Sequence, residues 1–191
     1  RLDDAANALD RMEALIDEVL AVAREGASVE DPDPVRLAAA ASSSWRTVET
    51  GDATLTVEAN ATIRADESRL RRLFENIFRN SVEHGSTGSR TESGDSVEHG
   101  RSDDTESSLS LTVGRLDADG FYVEDDGVGI PADERDRVFE GGYSTDADGT
   151  GFGLTIVREV AEAHGWSIEA TASDAGGARF EITGVSLASE E

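Results

Sequence analysis

The sequence predicts an α+β fold: a two-layer α/β sandwich preceded by a long N-terminal helix. Three observations carry this expectation. Apolar residues recur at helical spacing in four stretches, short period-two alternations lie between them, and the two kinds are mixed without strict alternation. With 37% of its 191 residues hydrophobic, the chain can build one ordinary core plus an appendage.

The first stretch places Leu2, Ala5, Leu9, Met12, Ile16, Val19 and Ala23 at alternating steps of three and four, the seam of a coiled coil. Such a seam packs either on its own domain or against a partner helix in a dimeric bundle. Gly26, Pro32 and Pro34 end it. The chain opens on Arg1 rather than methionine, so it is expected to continue a longer protein. A second helix is expected from Pro34, whose fixed φ suits a first turn, through Val35 and Leu37 toward Trp45 and Val48. Leu55, Val57 and Ile63 mark two short strands joined around Asn60. Asp66 then caps an amphipathic helix with Leu70, Leu73, Phe74, Ile77, Phe78, Ser81 and Val82 on one face.

Between residues 85 and 108 the composition falls to Gly, Ser, Thr, Asp, Glu and Arg, with His99 and a lone aliphatic Val97, which predicts a flexible insertion. It repeats SVEHG, present at Ser81 to Gly85 and again at Ser96 to Gly100. Two strands follow, around Leu109 to Val113 and Phe121 to Val123, separated by the turn Asp117 to Gly120. A loop rich in Gly, Asp and Thr leads to a helix carrying Leu154, Ile156, Val157, Val160 and Ala161, closed by His164 and Gly165. Two strands, Ser167 to Thr171 and Ala178 to Ile182, are joined by the turn Asp174 to Gly177.

Charge narrows the function. The 41 acidic residues outnumber 17 basic ones, all arginine, for a net charge of -24. That excess repels phosphate backbones and anionic lipid, which disfavours nucleic-acid and membrane-surface binding. No cysteine is present, which excludes thiolate metal sites and thiol nucleophiles. No apolar run approaches the roughly 18 residues of a membrane span, and a cytoplasmic chain is expected. The excess marks either an acidic interaction surface or adaptation to molar salt, where the Debye length shrinks to roughly 3 Å; scattered acids without lysine favour the second.

Three groups of residues can carry chemistry. Asn76 and Asn80 lie one turn apart on the long helix, Asp125 ends a strand before Gly127 and Gly129, and Gly149, Gly151 and Gly153 precede the last helix. Taken singly, these are compatible with a helix edge, a turn, and anion binding at a helix start.

In this order they resemble the nucleotide-binding half of sensor histidine kinases, relatives of gyrase and of the heat-shock chaperone ATPase. ENIFRNSVEHG (Glu75 to Gly85) resembles the asparagine box, VEDDGVGIP (Val123 to Pro131) the first glycine box, VFEGGYST (Val138 to Thr145) the phenylalanine box and GTGFGLTIV (Gly149 to Val157) the second glycine box. RMEALIDEVLAVAREG is similar to the second helix of the dimerisation hairpin.

The resemblance implies a Bergerat-type ATP-binding fold with the hairpin helix at 1–30, the catalytic domain at 31–191, and ATP and Mg²⁺ as ligands. Asn80 would be the magnesium ligand, with Asn76 beside it as the other catalytic amide. Asp125 would accept from the adenine amine, and Gly127, Gly129 and Ile130 would line the base. Phe139 would anchor a lid over residues 130–148, with Tyr143, Ser144 and Thr145 as phosphate donors. Gly149, Thr150, Gly151, Phe152 and Gly153 would cradle the phosphates, and Leu154 would fix their helix to the sheet. Glu83 and His84 fall at nucleotide-binding positions, but Glu83 stands where many members are basic and His84 where many are aromatic. His84 is open to two readings, phosphate contact or helix cap. Arg79, Arg135 and Arg137 are likewise open to phosphate contact or plain charge balance.

No phosphoacceptor box occurs in the chain, so the resemblance implies transfer of the ATP γ-phosphoryl group to a histidine upstream of Arg1, then to a response-regulator receiver aspartate. It further implies a homodimer through the N-terminal helix and a halophilic archaeal source. The alternatives are an ATPase of the gyrase and chaperone type, and a non-catalytic nucleotide-binding or dimerising module.

Overall fold

A computed structural model describes residues 28–85, 108–117, 119–143 and 151–188. The predicted N-terminal seam and the second SVEHG copy lie outside these residues, as does nearly all of the predicted insertion. The described chain runs β1 (Asp33–Arg36), α1 (Leu37–Trp45), β2 (Thr54–Val57), β3 (Thr62–Ala65), α2 (Glu67–Gly85), β4 (Ser110–Arg115), β5 (Gly120–Asp125), a 3-10 turn (Arg137–Phe139), α3 (Gly153–Ala163), β6 (Ser167–Ala172) and β7 (Ala178–Thr183).

Five strands form one sheet in the order β2-β4-β5-β7-β6. β2 and β4 are parallel and every other neighbouring pair is antiparallel. Period-two alternation sends Leu111, Val113, Phe121, Val123, Phe180 and Ile182 into the core, all at most 1% exposed. Tyr122, Glu124, Arg179 and Glu181 occupy the opposite face, half-buried. There the Arg179 guanidinium lies 3.7 Å from the Tyr122 ring centre and pairs with Glu124 and Glu181, each at 2.7 Å.

The helical layer covers the inner face. The predicted stripe of α2 is buried through Leu70, Leu73, Phe74, Ile77, Phe78 and Ser81, while Val82 is half-buried at its margin. Phe74 stacks on Phe78 at 5.6 Å and meets Phe121 of the sheet at 5.7 Å, and Trp45 of α1 closes edge-on against Phe78 at 5.3 Å. Each fully buried aromatic or aliphatic side chain here stabilises by about 1.5–3 kcal/mol relative to exposure. The cap at Asp66 is as expected: its Oδ1 accepts from the Ser68 and Arg69 N–H groups at 2.9 and 3.1 Å. The Ser68 hydroxyl also donates to Oδ1 at 2.7 Å, and these bonds, the hydroxyl foremost, hold the carboxyl below its ordinary value of 3.8.

The end of α3 is tied to the start of α2 through His164. The Asp66 N–H donates to Nε2 at 2.9 Å, so Nδ1 carries the ring hydrogen and donates to the Val160 carbonyl at 2.8 Å. The ring stacks on Trp166 at 4.1 Å.

One expectation is corrected. The second helix starts at Leu37, not Pro34, because residues 33–36 form β1 opposite β3. Asp33 precedes a proline and is pushed toward extended backbone, and Pro34 needs no N–H partner in a short edge strand. The strands around Asn60 both form but do not pair with each other. β2 joins the large sheet and β3 the small one, because the Glu58 and Ala59 N–H groups bond Val113 O and carry the link across the end of β4.

Candidate functional site

Asp125 is buried, 5% exposed, at the end of β5. Its Oδ1 accepts from the Gly127 N–H at 3.1 Å and the Ala178 N–H at 3.0 Å. Its Oδ2 accepts from the Ser81 hydroxyl of α2 at 2.7 Å. The Ser173 hydroxyl donates to the Asp125 carbonyl at 2.7 Å and accepts from the Gly177 N–H at 2.9 Å. Because β7 pairs with β5, the turn between β6 and β7 falls beside the strand end, and a distant part of the sequence fixes this carboxylate.

Glycine is required around it. Gly129 has φ of 71°, and a Cβ there would stand 2.6 Å from the Gly176 carbonyl oxygen. A Cβ on Gly127 would come within 2.7 Å of the Gly85 Cα, so the end of α2 packs directly on this loop. Gly177 is closest of all, since its Cβ would lie 2.1 Å from the Asp125 carbonyl oxygen. The sequence gives no site signal for Ser81, Ser173 or Gly177: Ser81 falls on the apolar face of the helix, and the Ser173 to Gly177 segment reads as an ordinary turn.

Asn76 is buried at 6% exposure and donates to the Arg72 carbonyl at 2.8 Å. Its Oδ1 lies 3.5 Å from where a Gly153 Cβ would sit, so it adjoins the start of α3. Asn80 is half-buried one turn on, Glu83 is exposed, and His84 is half-buried in the last turn.

Ile130 is half-buried against the core, and its carbonyl accepts from Arg135 Nε at 3.1 Å. Phe139 is buried edge-on to Phe180 at 6.3 Å, and its carbonyl accepts from the Thr155 hydroxyl at 3.3 Å. Tyr143 lies under the Arg137 guanidinium at 5.0 Å. A hydrogen bond to the Glu134 carboxylate raises its phenol above the ordinary value of 10.0. Arg135 and Arg137 thus both have partners within their own loop.

Gly151 accepts from the Gly142 N–H at 3.1 Å, and the Phe152 ring lies 3.4 Å from where a Gly141 Cβ would sit. Gly151 and Phe152 therefore pack on the segment 141–143. Phe152 makes no side-chain cap, which leaves the first N–H groups of α3 without a side-chain acceptor from that position. Leu154 is buried and ties the helix to the core. Ser144, Thr145, Gly149 and Thr150 lie outside the described residues.

A family model described as histidine kinase-, DNA gyrase B- and HSP90-like ATPase matches residues 65–187, a span that holds every element of the site. The chain belongs to this ATPase family. The sensor histidine kinase ZraS of Escherichia coli O157:H7 is 31% identical over 121 residues, 63% of this chain and 22% of that protein. The chain thus spans under a quarter of the length of the curated relatives it matches. The ATP-binding domain of PrrB from Mycobacterium tuberculosis superposes with a TM-score of 0.56 at 25% identity, over 84% of this chain and all of that one. Full-length ShkA, solved in complex with AMPPNP, gives a TM-score of 0.63 at 29% identity, over 95% of this chain and 37% of that one. Within the ATPase family, then, this is a catalytic domain of the sensor histidine kinase type.

Proposed function

We propose that this domain binds ATP and transfers its γ-phosphoryl group to a histidine lying upstream of Arg1 in a longer protein, for relay to a receiver-domain aspartate of a response regulator. The observation that carries the base assignment is the Asp125 carboxylate, buried and oriented by three hydrogen bonds with glycines on both sides. A carboxylate so held accepts from the exocyclic amine of adenine, whereas guanine presents a carbonyl in that place.

The residues present fit the phosphates and Mg²⁺ as well. Asn80 offers a neutral amide oxygen, a hard ligand suited to Mg²⁺ when the phosphates supply the charge. Mg²⁺ bound there would neutralise charge on the transferred group. Gly151 and Gly153 bring backbone N–H groups to the start of α3, and Gly149, Thr150, Ser144 and Thr145 would complete the cradle. Asn76, a buried amide beside Gly153, would support it. Catalysis of this kind is mostly positioning and charge neutralisation.

The competing reading, an ATPase, needs a carboxylate to activate water. Asn76 is an amide, and the adjacent Glu75 accepts from the Thr47 hydroxyl at 2.9 Å, beyond the end of α1. Hydrolysis should therefore be slow. Residues 1–30 are proposed as the second helix of a dimerisation hairpin that makes the longer protein a homodimer. Cytoplasmic placement and a halophilic archaeal source remain part of the same proposal, supported by the charge of -24 without lysine.

Calorimetric titration of Mg-ATP and Mg-GTP in molar KCl tests the core of this reading. ATP should bind saturably and GTP should not. Asn80→Ala and Asp125→Ala should each weaken ATP by at least about tenfold, the scale of one charge-assisted contact. Absence of binding for every nucleotide would leave a dimerising module instead.

A further inference from the structure

Resting on the assignment of Asp125 to the base, we infer that Ser81 is a positioning residue that sets base specificity: its hydroxyl leaves the Asp125 carboxylate one open acceptor position, fitted to a single exocyclic amine donor. A carboxylate has about four acceptor positions, two on each oxygen. The Gly127 and Ala178 N–H groups fill those of Oδ1, and the Ser81 hydroxyl fills one on Oδ2. Ser81 is the one side chain that donates to this carboxylate among the described residues, and it is itself buried at 3% exposure.

Two consequences follow from that bond. Rotation of the carboxylate would break three hydrogen bonds together, so the remaining acceptor is oriented before any ligand arrives, and binding loses less freedom. The Ser81 proton is also committed to Oδ2 and is withheld from a purine carbonyl. A guanine oxygen would then face a buried acceptor with no donor between them, a strongly disfavoured pairing. The backbone donors to Oδ1 come with the fold, whereas the Ser81 hydroxyl is a choice made at one position of α2.

The test compares Mg-ATP with the Mg complex of purine riboside triphosphate, which lacks the exocyclic amine, by calorimetry in molar KCl. The proteins are the wild type, Ser81→Ala and Ser81→Cys, each checked for folding by circular dichroism. The wild type should prefer ATP by about tenfold or more. Ser81→Ala should shrink that preference about five- to tenfold through weaker ATP binding alone, with the analogue unchanged. Ser81→Cys keeps the volume but donates weakly, and should move the same way; it decides the matter if the alanine variant does not fold. Equal weakening of both nucleotides, or a preference intact in the variants, would overturn the role of Ser81. A wild type that binds both nucleotides equally would instead overturn the assignment of Asp125 to the base.

Discussion

At the scale of single residues, the site depends on atoms too close together to tolerate change. Gly177 abuts the Asp125 carbonyl, so Gly177→Ala must move either the turn or the carboxylate. Overpacking of this kind destabilises by about 1–3 kcal/mol. We expect that loss in a denaturant melt together with loss of ATP binding, whereas Gly165→Ala, with open space around its Cβ but a φ of 74°, should cost some stability and yet leave ATP binding intact. Asp66 gives a pH-dependent prediction. Its folded pKa is depressed, so its contribution is present above the unfolded value and is lost as pH falls through the folded one. Asp66→Ala should therefore cost about 1 kcal/mol at neutral pH, a difference that closes as acid titrates the wild-type cap. Asp66 and Asp125 were both legible in the sequence, the first from its place before an apolar stripe and the second from the glycines after it. Ser81 and Ser173 were not, because their roles exist only after the strands pair: 44 residues separate Ser81 from the carboxylate it serves, and 48 separate Ser173 from the carbonyl.

Among the elements, α2 links core to chemistry. One face carries Phe74 and Phe78 into the sheet and brings Ser81 to Asp125, while Asn76 adjoins the start of α3. Phe78→Ala should lose about 3–5 kcal/mol, measured as a shift in the urea midpoint at unchanged slope. The period of 3.6 made this helix readable, as the period of two did for β4 to β7. α1 was misread at its start because Pro34 serves equally as a first helical residue and as an edge-strand residue. Choosing between them required the partner strand β3, which local pattern does not supply. The same limit hid the separation of β2 from β3, since joined strands need not be paired strands.

For the whole molecule, charge and topology govern. The exposed pairs Arg71 with Glu67 and Arg158 with Glu162 are each worth only about 0.3–0.5 kcal/mol, so they offset little of a net charge of -24. Screening must do the rest, and the thermal midpoint should climb as KCl rises from about 0.1 M toward 1 M, over which the Debye length falls from roughly 10 to 3 Å. A midpoint independent of salt would refute salt adaptation. The two-layer α+β class was legible because the helical and strand patterns after residue 30 had only a few ways to layer, while strand order was not, since it depends on pairings far apart in the chain. The close packing at Gly85 has a further consequence. A Cβ there would touch the Leu109 side chain at 2.7 Å, so the main chain leaves the fold and rejoins it at nearly one point. The entropy of closing the chain between two points so near each other grows only with the logarithm of the length joining them. A reporter domain inserted between Gly85 and Leu109 should therefore cost little stability in a denaturant melt, provided those two residues keep their contact.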